Sequence, residues 1–138
     1  LHDTLPISQL TPGETCTHPD SYRYPEHIPY CSRNVDTQTK RDIIAQYDRE
    51  RGFQVGSMNR GDFKIDHYIP LCAGGSNERD NLWPQHKSVY AITDPLEPAI
   101  CNQMAAGKLK QERAIEIIRQ AKTHLDQVPE IIKQVNAL

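Results

Sequence analysis

The stretch that most limits what this chain can become runs from Ile65-Asp66-His67-Tyr68-Ile69-Pro70-Leu71 through Gly74-Gly75-Ser76-Asn77 to Asn81-Leu82-Trp83-Pro84-Gln85-His86. Its first part reads as a short apolar strand that ends early, because Pro70 cannot donate to a ladder. Gly74 and Gly75 allow the backbone a tight return, so a second short strand is expected around Asn81, Leu82 and Trp83. Pro84 suits a helix start, which places His86 in a first turn facing the same cleft. Alternation along a strand sends Asp66 and His67 to opposite sides, so both reach one site only where the strand ends or twists. Trp83 is expected in the core, since one buried indole removes a large apolar area from water.

These residue types carry a recognisable chemistry. Asp66 is a carboxylate of the kind a hard divalent cation takes, and His67 is an imidazole able to accept a proton from water. Asn81 can fix a loop through its amide, and His86 offers a second ligand. The quoted segments, Asp-His-Tyr-Ile-Pro-Leu, Gly-Gly-Ser-Asn and Asn-Leu-Trp-Pro-Gln, resemble the HNH endonuclease family. A weaker likeness runs from Cys31-Ser32-Arg33-Asn34-Val35 to the helix rich in Ala, Ile and Gln after Gly107, and is similar to secreted bacterial members. The resemblance implies a ββα-metal (His-Me finger) core of two strands and a helix around one divalent ion. It implies His67 as the base that activates water, Asp66 as a metal ligand, Asn81 as the brace of the loop carrying the base, and His86 as the second ligand. The last ligand of that family often stands farther along its helix than His86 does from Asn81. Should His86 face away, Asp94 and Glu97 at the next helix start are the replacements to examine.

The chain's 138 residues, 37% of them hydrophobic, suffice for one core and not for two comfortable domains. The expected architecture is α+β: an extended arm over residues 1–34, the ββα core over 60–93, and a helical part over 94–138. No run is long and apolar enough to span a membrane. The opening residues do not read as a leader segment, and Leu1 in place of Met fits a processed mature form or a trimmed segment. Cys16, Cys31, Cys72 and Cys101 are even in number, widely spread and without a Cys-x-x-Cys pair, which favours two disulfides over a zinc ribbon. Of three possible pairings, Cys16 with Cys31 and Cys72 with Cys101 is preferred. The first staples the proline-rich arm to form an extended, disulfide-stapled N-terminal segment, and the second ties the loop after Asp66-His67 to a later helix. A secreted or periplasmic location follows as an expectation.

Helical signals complete the scaffold. Asp36 caps a helix over about Thr37 to Arg51, with Ile43, Ile44 and Tyr47 on one face and Gly52 beyond its end. Phe53 to Asn59 read as a short strand or loop. Asp94-Pro95-Leu96-Glu97 has the form of a capping box, followed by a stripe of Leu96, Ile100 and Met104 that Gly107 ends. The longest helix spans about Lys110 to Leu125 on Ala114, Ile117, Ile118, Ala121 and Leu125, and a short amphipathic helix follows Pro129.

The net charge of −2 gives no global attraction to phosphate. A local concentration of cations before and around the motif (Arg33, Lys40, Arg41, Arg49, Arg51, Arg60, Lys64, Arg79 and Lys87) offsets it, and Arg33, Arg79 and Lys87 are the candidate nucleic-acid contacts. The function expected is a divalent-metal-dependent endonuclease, on DNA ahead of RNA, with little sequence specificity because no base-reading module is evident. One Mg²⁺ or Mn²⁺ ion suits hard oxygen ligands with one imidazole, and Zn²⁺ can also bind there. A monomer is expected, with no membrane partner and with an inhibitor protein as a candidate further partner. Two other readings stay open: a non-catalytic nucleic-acid or protein binding module, and a metal-dependent phosphodiesterase acting on small nucleotides.

Overall fold

The computed structural model describes residue 6, residues 9–51 and residues 60–138. Gly52 and the expected strand or loop over Phe53 to Asn59 lie outside them. The described chain is α+β: two small antiparallel ribbons, β1 (Ser21–Arg23) with β2 (Ile28–Tyr30) and β3 (Phe63–His67) with β4 (Leu82–His86), among five helices. These helices are α1 (Thr37–Arg51), α2 (Lys87–Thr93), α3 (Leu96–Ala105), α4 (Gln111–Thr123) and α5 (Val128–Asn136).

The β3–β4 ribbon is the frame of the candidate site. Phe63 stands opposite His86, Ile65 opposite Pro84, Asp66 opposite Trp83, and His67 opposite Leu82. The Tyr68 N–H donates to Asn81 O at 2.7 Å, so hydrogen-bonded pairs fall at 68/81, 66/83 and 64/85. Pro84 therefore sits at a non-hydrogen-bonded pair, where its missing N–H costs nothing. This corrects the reading of Pro84 as a helix start: the ladder tolerates it, and α2 begins three residues later at Lys87.

Helix boundaries follow the capping chemistry where a cap is available. Asp36 Oδ1 accepts the Thr39 N–H at 2.7 Å, which starts α1 where the sequence indicates. Gly107 ends α3 in a left-handed conformation with φ +76, and the Lys108 N–H reaches back to Gln103 O. Asp94 departs from expectation. A cap residue needs extended dihedrals, yet Asp94 is right-handed helical and continues the turn out of α2. Its carboxylate pairs with Lys64 at 3.0 Å instead, and Pro95 occupies the cap position of α3 without a side-chain bond. Asp94 and Glu97 are thus released from the capping box that Asp94-Pro95-Leu96-Glu97 suggests.

One apolar core joins the ribbon to the helices. Trp83, Ile43, Tyr47, Ile69, Leu82, Ile100, Met104, Ile118 and Val128 are fully buried in it. Trp83 is core, as its sequence context implies. Both expected disulfides are present, Cys16–Cys31 and Cys72–Cys101, with Cα–Cα separations of 5.7 and 5.9 Å, and no free cysteine remains. They point to an oxidising setting, extracellular or periplasmic. No helix among the described residues is long and apolar enough to cross a membrane. The arm runs along the ribbon's loop: Gly13 N–H donates to Asp80 O, Cys16 N–H to Gly74 O, and Ser76 N–H to Glu14 O, each at 2.8 or 2.9 Å.

Candidate active site

The loop between β3 and β4 is built around one amide. Asn81 is 0% exposed, and its Oδ1 accepts the N–H of Ile69 at 2.9 Å and of Glu14 at 3.2 Å. Its Nδ2 donates to Ile69 O at 3.0 Å and Ser76 O at 2.9 Å. No other side chain of this size presents two donors and two acceptor lone pairs on one flat group. Gly75 completes the fit, because a Cβ there would lie 1.8 Å from Ile69 O and 2.8 Å from Asn81 Nδ2. Asn81 and Gly75 together fix the chain that leaves His67 and returns to β4.

His67 closes β3 and is 4% exposed. Its Nε2 lies 3.0 Å from Asn77 Oδ1. Asn77 is oriented by two backbone groups: its Nδ2 donates to Ser32 O at 2.7 Å, and its Oδ1 accepts the Asn34 N–H at 3.1 Å. An oxygen so placed can only accept, so Nε2 carries the proton and Nδ1 of the neutral ring holds the lone pair. Nδ1 has no hydrogen-bond partner among the described residues, and it is not among their sealed, unpartnered polar atoms, of which Gln85 Oε1 is one. Burial lowers the imidazole pKa, and positive Arg33 and Lys122 push it the same way, against the raising effects of Asn77 and Asp66. Neutral His67 is the form that can take a proton.

Asp66 points the other way. Directly opposed residues share a face of a ribbon, so Asp66 lies with Trp83 on one side, while His67, Leu82, Phe63 and His86 share the other. On its side Asp66 lines a small pocket with Asp94, Glu97 and Lys122. Glu97 has a raised pKa, first from burial and then from the negative charges of Asp66 and Asp94. Lys122 is 6% exposed, and its Nζ donates to His67 O at 3.1 Å and Tyr68 O at 2.8 Å.

The structure does not bring Asp66 and His86, the two expected ligands of one ion, together. They occupy opposite faces and stand three ladder positions apart, about 10 Å along a strand. His86 instead caps α2, with Nδ1 accepting the Ser88 N–H at 3.2 Å and its ring edge-on to Phe63 at 5.0 Å. Arg79 and Lys87 are engaged with Asp42 and Asp62, each at 3.1 Å. Such exposed pairs contribute little and exchange readily. Arg33 is exposed beside Asn34 and acts electrostatically on His67.

Two residues of the site escaped sequence reasoning. Asn77 lies in the quoted Gly-Gly-Ser-Asn run, yet its role depends on Ser32 and Asn34, more than forty residues away along the chain. Lys122 had a visible signal, a cation four residues after Ile118 on the apolar stripe of α4. Comparison with protein-family models, curated proteins and solved structures found no match for this chain.

Proposed function

We propose that this chain is a metal-dependent endonuclease of the HNH type, secreted or periplasmic, which hydrolyses nucleic-acid phosphodiester bonds with little sequence preference. The observation that carries the reading is His67: a neutral imidazole at a strand end, its Nε2 held by Asn77, its Nδ1 unengaged among the described residues, on a loop braced by Asn81. A fixed tautomer with one free lone pair is what a general base requires.

In the mechanism, Nδ1 of His67 removes a proton from water, and the resulting hydroxide attacks phosphorus. The P–O3′ bond breaks, and the electron pair leaves on the 3′ oxygen. Asn77 keeps the Nε2 proton in place throughout, and its Oδ1 favours the imidazolium that forms. Arg33, between the Ser32 and Asn34 backbone groups that hold Asn77, would supply a cation for a non-bridging phosphate oxygen. DNA is the favoured substrate, and backbone contact explains why little sequence would be read.

The donor chemistry fits a hard divalent cation, although among the described residues no three His, Cys, Asp or Glu side chains close on one point as they stand. Asp66, Asp94 and Glu97 supply carboxylate oxygens to one pocket that Lys122 also lines, and Glu97 is held above its usual pKa first by burial and then by its two carboxylate neighbours, which Lys122 and Lys64 oppose. These three would hold Mg²⁺ or Mn²⁺, in place of the Asp66–His86 pair. Unlike His86, His67 is the immediate neighbour of Asp66 at the end of β3, and an ion held there would supply charge to the scissile phosphate and the leaving oxygen.

A plasmid-nicking assay in Mg²⁺ or Mn²⁺ with an EDTA control tests the reading. Nicking that EDTA abolishes is expected. DNA binding without nicking would replace the reading with a non-catalytic module, and cleavage of small phosphodiesters alone would replace it with a nucleotide phosphodiesterase.

A further inference from the structure

Lys122 occupies a position where the helical pattern calls for an apolar side chain. It lies on the buried stripe of α4 with Ala114, Ile118 and Ala121. Its ammonium is 5.0 Å from the Trp83 ring and 5.7 Å from the Tyr68 ring. A buried ammonium is costly unless its donors are met, and Met would fill the same space without that cost. The position therefore calls for an account in terms of what the donors hold.

The ladder supplies it. His67 and Leu82 form a non-hydrogen-bonded pair, so the backbone N–H and C=O of His67 point away from β4, toward an edge where no third strand pairs among the described residues. Both groups are nevertheless taken. The His67 N–H donates to Asp66 Oδ1 at 3.0 Å, and the His67 carbonyl accepts from Lys122 Nζ at 3.1 Å. The next carbonyl, Tyr68 O, accepts from the same ammonium at 2.8 Å. On the inner side the Tyr68 N–H goes to Asn81 O and the Ile69 N–H to Asn81 Oδ1. The backbone of residues 67–69 is thus gripped from one side by Asn81 and from the other by an oppositely charged pair, Asp66 and Lys122.

We propose that Lys122 is a positioning residue of the site, which acts with Asp66 in place of a third strand and sets the angle at which β3 presents the His67 ring. The proposal rests on His67 as the base of the endonuclease reading for its kinetic consequence, though its structural consequence stands without it. Lys122 touches neither substrate nor reacting atoms in this scheme. Removing it leaves two adjacent carbonyls without a donor at the residue whose orientation matters most.

The test compares wild-type protein, Lys122→Met and Lys122→Arg by two readouts. Long-range ¹H–¹⁵N correlation of the imidazoles reports the His67 tautomer without any turnover. Wild type should show a single Nε2–H form, and Lys122→Met an averaged or broadened one. In plasmid nicking, Lys122→Met should lose about 100-fold in kcat with KM little changed, the pattern of a misplaced group rather than lost binding. Lys122→Arg, which keeps charge and donors, should recover the single tautomer and most of kcat. A Lys122→Met protein with wild-type imidazole signals or wild-type kcat overturns the proposal. If Lys122→Met does not fold, a folded Lys122→Arg with an averaged imidazole overturns it and one with a single tautomer supports it. If wild type itself does not nick DNA, the endonuclease reading falls, while the imidazole comparison still decides the role of Lys122.

Discussion

The two ends of the β3–β4 ribbon each carry a histidine on the same face, and they are put to different uses. At one end His67 is buried, its Nε2 tied to Asn77 and its backbone held by Asp66 and Lys122. At the other end His86 finishes β4 and turns its Nδ1 onto the Ser88 N–H in the first turn of α2. Residue type, face and strand are shared, so none of these separates a candidate base from a helix cap. The difference comes from what surrounds each ring. Around His67, polar groups from residues 32–34, 66, 77 and 122 converge from four parts of the chain, whereas the polar contacts of His86 are local.

The largest expected effect breaks the comparison at the His67 end. His67→Ala should lower plasmid nicking by about 10²- to 10⁴-fold, the usual contribution of a positioned base, while calorimetric Mn²⁺ affinity stays near wild type. Near-normal nicking in that variant would move the chemistry elsewhere. Next is Asn81→Ala, which strands the buried Ile69 N–H, the half-buried Glu14 N–H and two carbonyls. Urea titration should show a loss of about 3 to 5 kcal/mol, with the His67 tautomer averaged in whatever remains folded.

His86→Ala should behave quite differently. Losing a side-chain cap costs about 1 kcal/mol, and the metal concentration for half-maximal nicking should not move. A rightward shift in that curve would restore His86 as a ligand and overturn the opposite-face argument. By contrast, Asp66→Ala or Glu97→Gln should raise that concentration.

The smallest effect is in pH. Burial holds the folded pKa of His67 below its usual value near 6.5. Between that folded pKa and about 6.5 the unfolded chain binds more protons, so this residue's stability contribution is full above 6.5 and declines as pH falls toward the folded pKa. The acid limb of nicking should accordingly lie below pH 6.5. Urea midpoints measured from pH 7.5 to 5 should fall less steeply for His67→Ala than for wild type.

Much of the scaffold was legible because it is written in local chemistry. Asp36 announces α1, Gly107 ends α3, and the spacing of Ala114, Ile118 and Ala121 marks the buried face of α4. The cysteine pairing was also readable, since both bridges staple segments that local signals leave unsupported. Pro84 and Asp94 misled for one reason. Each is a strong punctuator in isolation, but Pro84 fell at a ladder position that needs no N–H, and Asp94 found Lys64 across the fold.

By itself the sequence determined the parts: a strand with an acid and an imidazole, a glycine return, an amide, and helices with a buried stripe. Periodicity and capping act over a few residues, so the chain states them directly. Only the tertiary structure decided which polar groups meet. It put Asp66 with Asp94 and Glu97 rather than His86, gave Nε2 of His67 to Asn77, and brought Lys122 from α4 to two carbonyls of β3. Those contacts span from 10 to 55 positions of the chain, and ladder register and helix packing set them. Register is the physical reason: a shift of one residue would exchange every face of the ribbon.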